Sequence, residues 1–384
     1  MVPRGWRLGQ PTVTGNGFAC PACLANLSDE ALTKVEAHRA TAEGSRRRYD
    51  PPLGLTICLI RSPRVEGAFL TGLHCSMRIP KILIVGAGQV GSSIARHVLS
   101  CNAAHVMLYD VRPGVAEGMA IDLSHCLFHV VQCSCAGTDK INEAFDGADL
   151  VVFSAGVPRH KDQKRIDLLF ENARIALNTA ALSYEKAPSA PFLIITNPVD
   201  VLSTIVKRAF PRLRVIGMGC GLDTMRFRYY IASHLKLPVG TVEAFIAGSH
   251  DDAMMPLWET ARVGSIPLND LISDPDRGRI LELTRSAGDR IVQSLGRGSS
   301  VAAGVLGAQM IHSYFSSDGA AYSADFFLED CFGVKDCMIS LPCILFPDRV
   351  NMVHTSLTDL QETHLTSVAQ GISQHAEMVL NEVG

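Results

Sequence analysis

Gly86, Gly88 and Gly91 stand in PKILIVGAGQVGSSIARHVL, residues 80 to 99, between an apolar β-branched run and a helix-like segment. The spacing suits a phosphate-binding turn. Gly86 permits a tight turn after the strand, Gly88 lets backbone approach a pyrophosphate, and Gly91 lets helix and strand pack closely. The phosphates would sit at the positive end of that helix. Asp110 closes a second apolar run, HVMLYD. Its carboxylate can accept hydrogen bonds from an adenine ribose diol and repel the extra phosphate of NADP. NAD is therefore the expected cofactor, held by Gly86, Ala87, Gly88, Gln89, Val90, Gly91 and Asp110.

Three arginines and a histidine are the other candidates for chemistry. Arg159 and Arg165 lie six residues apart in SAGVPRHKDQKR, directly after a strand-like run; they make a cationic loop or a merely solvated surface. Asp223 and Arg226 in GLDTMRFRYY share one helix face, as a substrate clamp or as an ordinary i,i+3 ion pair. His250 follows a strand and Gly248 in FIAGSHDDAMMPLW, which puts an imidazole at a turn.

The elements that position these residues alternate. KILIVG, HVMLYD, DLVVFSA at 149 to 155 and FLIIT at 192 to 196 read as strands, with helices from about 90, 114 and 166 between them. Alternation of this kind predicts a doubly wound parallel Rossmann sheet covered on both faces, with the cofactor at its carboxyl edge. An NAD-binding domain over 77 to 222 is expected, then an α+β catalytic domain over 223 to 384. Helices are expected at 276 to 296 and 360 to 380. In the latter, Leu365, Val368, Ile372 and Val379 mark a buried face.

The chain has 384 residues, 47% of them hydrophobic and 19% charged, which suits a globular protein of two domains. A net charge of −3 offers no broad attraction to nucleic acid or an anionic membrane. Twelve cysteines in so long a chain are too dilute for a disulfide scaffold and read as reduced thiols in a cytoplasmic protein. Residues 1 to 76 differ: nine Lys and Arg stand against six Asp and Glu, with no sustained period, RRR at 46 to 48 and PP at 51 to 52. This leader receives no function, its lone Cys20/Cys23 pair is read as chance spacing, and a chain starting at Met77 is expected to fold.

IVGAGQVG, LYD, SAGVPR followed by Arg165, ITNPVDVL, GLDTMRFR, GSHDD and FGVKDCMISLP occur in one order between about 79 and 380. In that order they resemble the lactate/malate dehydrogenase family. The resemblance implies NAD-dependent oxidation of a 2-hydroxy acid, with His250 as general acid/base, Asp223 orienting it, and Arg226 clamping the C1 carboxylate. Arg165 would polarise the C2 oxygen, and Asn197 would hydrogen-bond it or a carboxylate. Asn172, Ile195, Thr196 and Asn197 would help seat the cofactor, with no metal in the reaction. Arg at the position of Arg159 marks the family's malate enzymes, where it pairs with the second carboxylate of a dicarboxylate substrate. A homodimer or homotetramer is expected. Lactate or another 2-hydroxy acid remains an alternative substrate, and a catalytically impaired NAD-binding protein is the alternative outside enzymes. Three places depart from the family pattern. Asp251 stands where a small residue is common and could raise the His250 pKa if it points inward. HKDQK follows Arg159, and Gly221 precedes Leu222 and Asp223.

Overall fold

The computed structural model describes residues 79–101, 104–127, 133–157, 165–353 and 356–383. The leader, Arg159 with the loop that follows it, and the side chain of Arg165 lie outside the described residues.

β1 (Lys81–Val85) is buried from its second residue onward and pairs in parallel with β2 (His105–Tyr109) and β4 (Leu150–Phe153). Between these strands run α1 (Gln89–Ser100), α2 (Val115–Ser124), β3 (Cys135–Thr138) and the short α3 (Ile141–Ala144). The chain continues through α4 (Arg165–Lys186), β5 (Phe192–Ile194), α5 (Val199–Ala209) and β6 (Val215–Gly217). The six strands lie in the order β3-β2-β1-β4-β5-β6, all parallel. This is the doubly wound sheet the alternation predicts, and strand order reverses between β1 and β4, where such sheets open a crevice. Apolar strands buried on both faces explain the unbroken runs ILIV and LVVF.

After β6 come α6 (Gly221–Leu235), the short strands β7 (Val242–Glu243), β8 (Ile246–Ala247), β9 (Met255–Pro256), β10 (Arg262–Val263) and β11 (Ile266–Pro267), then α7 (Asp274–Leu295) and α8 (Val301–Ser316). The chain ends with β12 (Ala321–Cys331), β13 (Val334–Leu345), β14 (Val350–Met352) and α9 (Asp359–Val383). The long β12–β13 hairpin joins the first sheet. β12 runs antiparallel to β6, pairing Asp325 with Gly217, and makes one sheet of nine strands. Without it, β6 would be an edge with unpaired backbone groups.

α7 starts where Ser273 accepts the Asp276 N–H with Pro275 in the first turn, and stops at Gly296 in a left-handed conformation. In α9 the buried residues are Leu365, Ala369, Ile372, Ala376 and Val379, with Val368 only half-buried. Alternating steps of four and three keep these five on one stripe, and the alanines let α9 lie close. A second, smaller core packs Phe227, Ile231, Val242, Ile246 and Leu268 together, with Phe227 edge-on to Trp258 at 4.8 Å. Among the described residues no helix is long and apolar enough to cross a membrane.

Candidate active site

The turn from β1 to α1 is built for a phosphate. Gly86 has φ +102°, and a Cβ on Gly91 would lie 2.0 Å from the Gly86 carbonyl oxygen, so neither position admits a side chain. At Gly88 a Cβ would meet nothing within 4 Å, and no side chain caps α1. The first-turn N–H groups therefore face open space at the positive end of a helix, a cradle that fits a dinucleotide pyrophosphate. Asp110, 6% exposed at the end of β2, accepts the Ala87 N–H at 3.1 Å. It also takes the Arg112 guanidinium through both oxygens, at 2.9 and 3.1 Å. Burial pushes the Asp110 carboxyl up, but Arg112 and the two backbone N–H donors outweigh it and hold the group ionised, below its usual value. Arg297 donates to Gln89 Oε1 at 2.6 Å and adds a cation beside the cradle.

Asn172 on α4 is 2% exposed and acts as a bracket. Its Oδ1 accepts the Val157 N–H at 2.9 Å, and its Nδ2 donates to the Asn197 carbonyl at 3.0 Å. The segment leading to Arg159 is thereby tied to the turn carrying Asn197. Thr196 closes the same edge by donating to the Ala155 carbonyl at 2.8 Å, and the Ile195 N–H donates to Phe153. The Asn197 side chain is exposed and makes no hydrogen bond among the described residues, so its amide is available to a ligand.

His250 lies on the loop between β8 and β9. That loop begins at Gly248, with φ +96°, whose N–H and carbonyl both pair with Ser340 of β13. The His250 N–H donates to Asp200 Oδ2 at 3.0 Å, from the first turn of α5. Its Nδ1 is bonded to Asp223 Oδ2, while Asp223 Oδ1 accepts Arg226 Nη1 at 3.1 Å. Asp223 is fully buried; the His250 and Arg226 side chains are 19% and 14% exposed. Desolvation pulls the His250 pKa down. The charge and hydrogen bond of Asp223, with the charge of Asp200, overcome it and raise the pKa above 6.5 despite Arg226. Chemically this is an oriented imidazole, held at Nδ1 and free at Nε2, beside a guanidinium with donors to spare.

The lactate/malate dehydrogenase NAD-binding domain family matches residues 80–217, and the lactate/malate dehydrogenase alpha/beta C-terminal domain family matches 220–383. The chain belongs to the lactate/malate dehydrogenase family. A malate dehydrogenase of Trichormus variabilis is 32% identical over 305 residues, covering 78% of this chain and 94% of the relative. The crystal structure of malate dehydrogenase from Plasmodium falciparum superimposes with a TM-score of 0.75 at 26% identity, covering 79% of this chain and all of that one. The lactate dehydrogenase of Cryptosporidium parvum, solved with lactic acid and nicotinamide adenine dinucleotide, gives 0.74 at 28% identity, covering 79% and 98%.

In this family member two of the sequence departures have local explanations. Asp251 does not face the imidazole: its Oδ1 accepts the Ser249 hydroxyl at 2.6 Å and the Ala253 N–H at 2.8 Å, so it shapes the turn. The expected effect of Asp251 on His250 is therefore replaced by that of Asp223 and Asp200. At Gly221 a Cβ would meet Leu306 of α8 at 2.8 Å, so close packing of α6 on α8 favours glycine. The structure links His250 to Arg226 through Asp223 and ties Asn172 to Asn197, while Arg159 and the Arg165 side chain lie outside its description. Sequence reasoning missed Asp200 beneath His250, Asp325 and Ser340 behind it, and Arg297 at the cradle. Asp200 sits within the quoted ITNPVD, and Asp325 interrupts the apolar strand AYSADFFL; a carboxylate at a buried strand position was the available signal.

Proposed function

We infer that the protein is an NAD-dependent malate dehydrogenase that interconverts (S)-malate and oxaloacetate. The His250–Asp223–Arg226 chain of contacts carries the 2-hydroxy acid dehydrogenase part of this reading. With Nδ1 occupied by Asp223, the neutral imidazole presents Nε2 as the acceptor for the C2 hydroxyl proton. Asp223 fixes that tautomer and stabilises the imidazolium that forms. Arg226 uses its remaining donors as a planar fork for the C1 carboxylate. Arg165 polarises the C2 oxygen as charge develops there, Asn197 adds a donor, and Arg159 pairs with the distal carboxylate. The Gly86–Gly91 turn, with Asp110, would hold NAD, which supplies the hydride acceptor when bound. In the reverse direction the His250 imidazolium returns its proton to the C2 oxygen.

Substrate choice rests on Arg159. Removing it strands a carboxylate in a closed, partly dry site at a cost of about 3 to 5 kcal/mol. Arg159→Gln should lower the kcat/KM ratio of oxaloacetate to pyruvate by about two to three orders of magnitude. A wild-type enzyme that prefers pyruvate, or an unchanged ratio in the variant, would assign the site to lactate instead.

We place the division between the NAD-binding domain, 77 to 222, and the catalytic domain, 223 to 384, at the start of α6. A homodimer or homotetramer accounts for Tyr229, Val292, Leu295 and Val301, which are 47% to 62% exposed. Tyr229 and Leu295 line a cavity of about 490 Å³ that also contacts Arg226 but not His250. Light scattering of the purified protein tests this; a monomer would reject it. Among the described residues no cysteine is paired in a disulfide, which suits the cytoplasm.

A further inference from the structure

Behind His250, a carboxyl from a helix and one from a strand of the other half of the chain meet in the interior. Asp200 of α5 is 5% exposed and Asp325 of β12 is fully buried. They lie within hydrogen-bond reach of each other. Asp200 Oδ2 accepts the His250 N–H at 3.0 Å, and Asp325 Oδ1 accepts the Ser340 hydroxyl. Their remaining oxygens, Asp200 Oδ1 and Asp325 Oδ2, are buried and have no donor among the described residues. The surrounding backbone makes room for them. A Cβ on Gly217 would stand 2.3 Å from Asp325 Oδ2, and one on Gly219 would stand 2.2 Å from Oδ1.

Two buried anions in contact repel, and two orphaned acceptors cost free energy; one proton between them removes both penalties. We propose that Asp200 and Asp325 share a single proton in the folded enzyme, as a carboxylic acid hydrogen-bonded to a carboxylate, and that this pair positions His250. The proposal goes beyond the dehydrogenase reading in its first half and rests on that reading in its second.

The pair reaches both the loop that carries His250 and the helix that carries Asp223 and Arg226. Asp200 holds the His250 backbone. Asp325 holds the Ser340 hydroxyl, which in turn accepts the Cys220 N–H at 2.8 Å at the start of α6, the helix of Asp223 and Arg226. The Ser340 backbone grips Gly248, two residues before His250. The titratable groups facing the pair are His250 on its loop, Cys220 on α6, and Cys337 and Cys343 on β13, with Asp223 and Arg226 beyond His250. Burial pushes the Asp325 carboxyl up to about 6, and burial with the Asp325 charge pushes Asp200 well above its usual value.

Infrared spectroscopy of the unsubstituted protein at neutral pH should show the carbonyl stretch of a protonated carboxylic acid, and Asp325→Asn should remove it. Absence of that band from the folded wild type, or its persistence in Asp325→Asn, overturns the shared proton whatever the enzyme's substrate. For the positioning role, Asp325→Ala should lower kcat about tenfold or more with little change in KM. Asp325→Asn, whose amide can still donate to Asp200 and accept from Ser340, should restore most of that kcat. It should also abolish the alkaline limb of the pH profile that the pair's second ionisation produces. If Asp325→Ala does not fold, the infrared band and the Asp325→Asn profile decide. A wild-type kcat and pH profile in Asp325→Ala, or no rescue by Asp325→Asn, would reduce the pair to a structural feature and overturn the positioning role.

Discussion

Asp223→Asn tests the catalytic reading most directly, because Asp223 serves two cations at once. One oxygen meets His250 Nδ1 and the other meets Arg226 Nη1, with Asp223 itself inaccessible to solvent. The amide is nearly the same size, so packing is preserved while the charge is lost. An amide can also turn its NH₂ toward Nδ1, which selects the tautomer with the proton on Nε2, the one that cannot accept the substrate proton. Leaving the imidazolium without its buried counter-charge costs about 3 to 5 kcal/mol. At 1.36 kcal/mol per factor of ten, turnover should fall about two to four orders of magnitude. The pH dependence should move as well. The His250 pKa is held above 6.5 largely by Asp223, so the protonated form needed to reduce oxaloacetate persists to higher pH in the wild type. In Asp223→Asn the fall of kcat/KM with rising pH should occur at lower pH. The assay is NADH oxidation with oxaloacetate from acid to alkaline pH, alongside NADH binding by fluorescence, which should survive. Wild-type turnover in Asp223→Asn, or an unmoved limb, would refute this account of His250.

The same geometry sets further expectations. Gly88→Ala should fold normally, because its Cβ enters open space, yet weaken NADH binding by occupying the phosphate cradle; Gly91→Ala should destabilise the fold, because its Cβ would collide with the Gly86 carbonyl. Melting curves and NADH titrations separate the two, and equal behaviour would reject the cradle. Asp110→Ser should narrow the preference for NADH over NADPH in steady-state kinetics; no change would show that the Asp110–Arg112 pair does not select the ribose. Carboxyl pKa values raised in the folded state contribute stability that is complete below the unfolded value of 3.8 and is lost as pH rises through about 6 for Asp325. Denaturation midpoints should therefore decline across that window, and Asp325→Asn should flatten the decline.

How much of this was legible in the sequence depends on the range of the interaction involved. The Rossmann half is local: each strand, turn and helix follows the next, so the glycine spacing and Asp110 could be read in line. The contact of His250 with Asp223 spans 27 residues and that with Asp200 spans 50; no periodicity reports such distances, and only the family resemblance connected His250 to Asp223. Asn172 has in addition a structural role that its position in the sequence does not announce. The resemblance puts it at the cofactor, and its amide also holds backbone at both ends, at Val157 and Asn197.

The least legible feature is the one where the two halves of the chain join. β12 adds to β6 across more than a hundred residues of intervening sequence, and this pairing puts Asp325 opposite Gly217. A strand reading AYSADFFL would by itself place a polar aspartate toward water on the open face of an edge strand. Here both faces are covered, so the carboxylate is trapped, and only the lack of side chains at Gly217 and Gly219 leaves it space. Neither the glycines nor the aspartate has an evident purpose alone. Gly217 would be replaceable in a parallel strand, and Asp325 would be a defect in a core. Together they form a compartment one residue wide, opening toward Asp200 and the backbone of His250. It follows that Gly217→Ala should act through Asp325. Its Cβ would displace the carboxyl, so the variant should lose the same infrared band and the same alkaline limb as Asp325→Asn. Adding Asp325→Ser, which shortens the displaced side chain, should recover more stability in the Gly217→Ala background than it does in the wild type. Additive effects of the two substitutions in thermal unfolding would show that the glycine and the aspartate do not share that space.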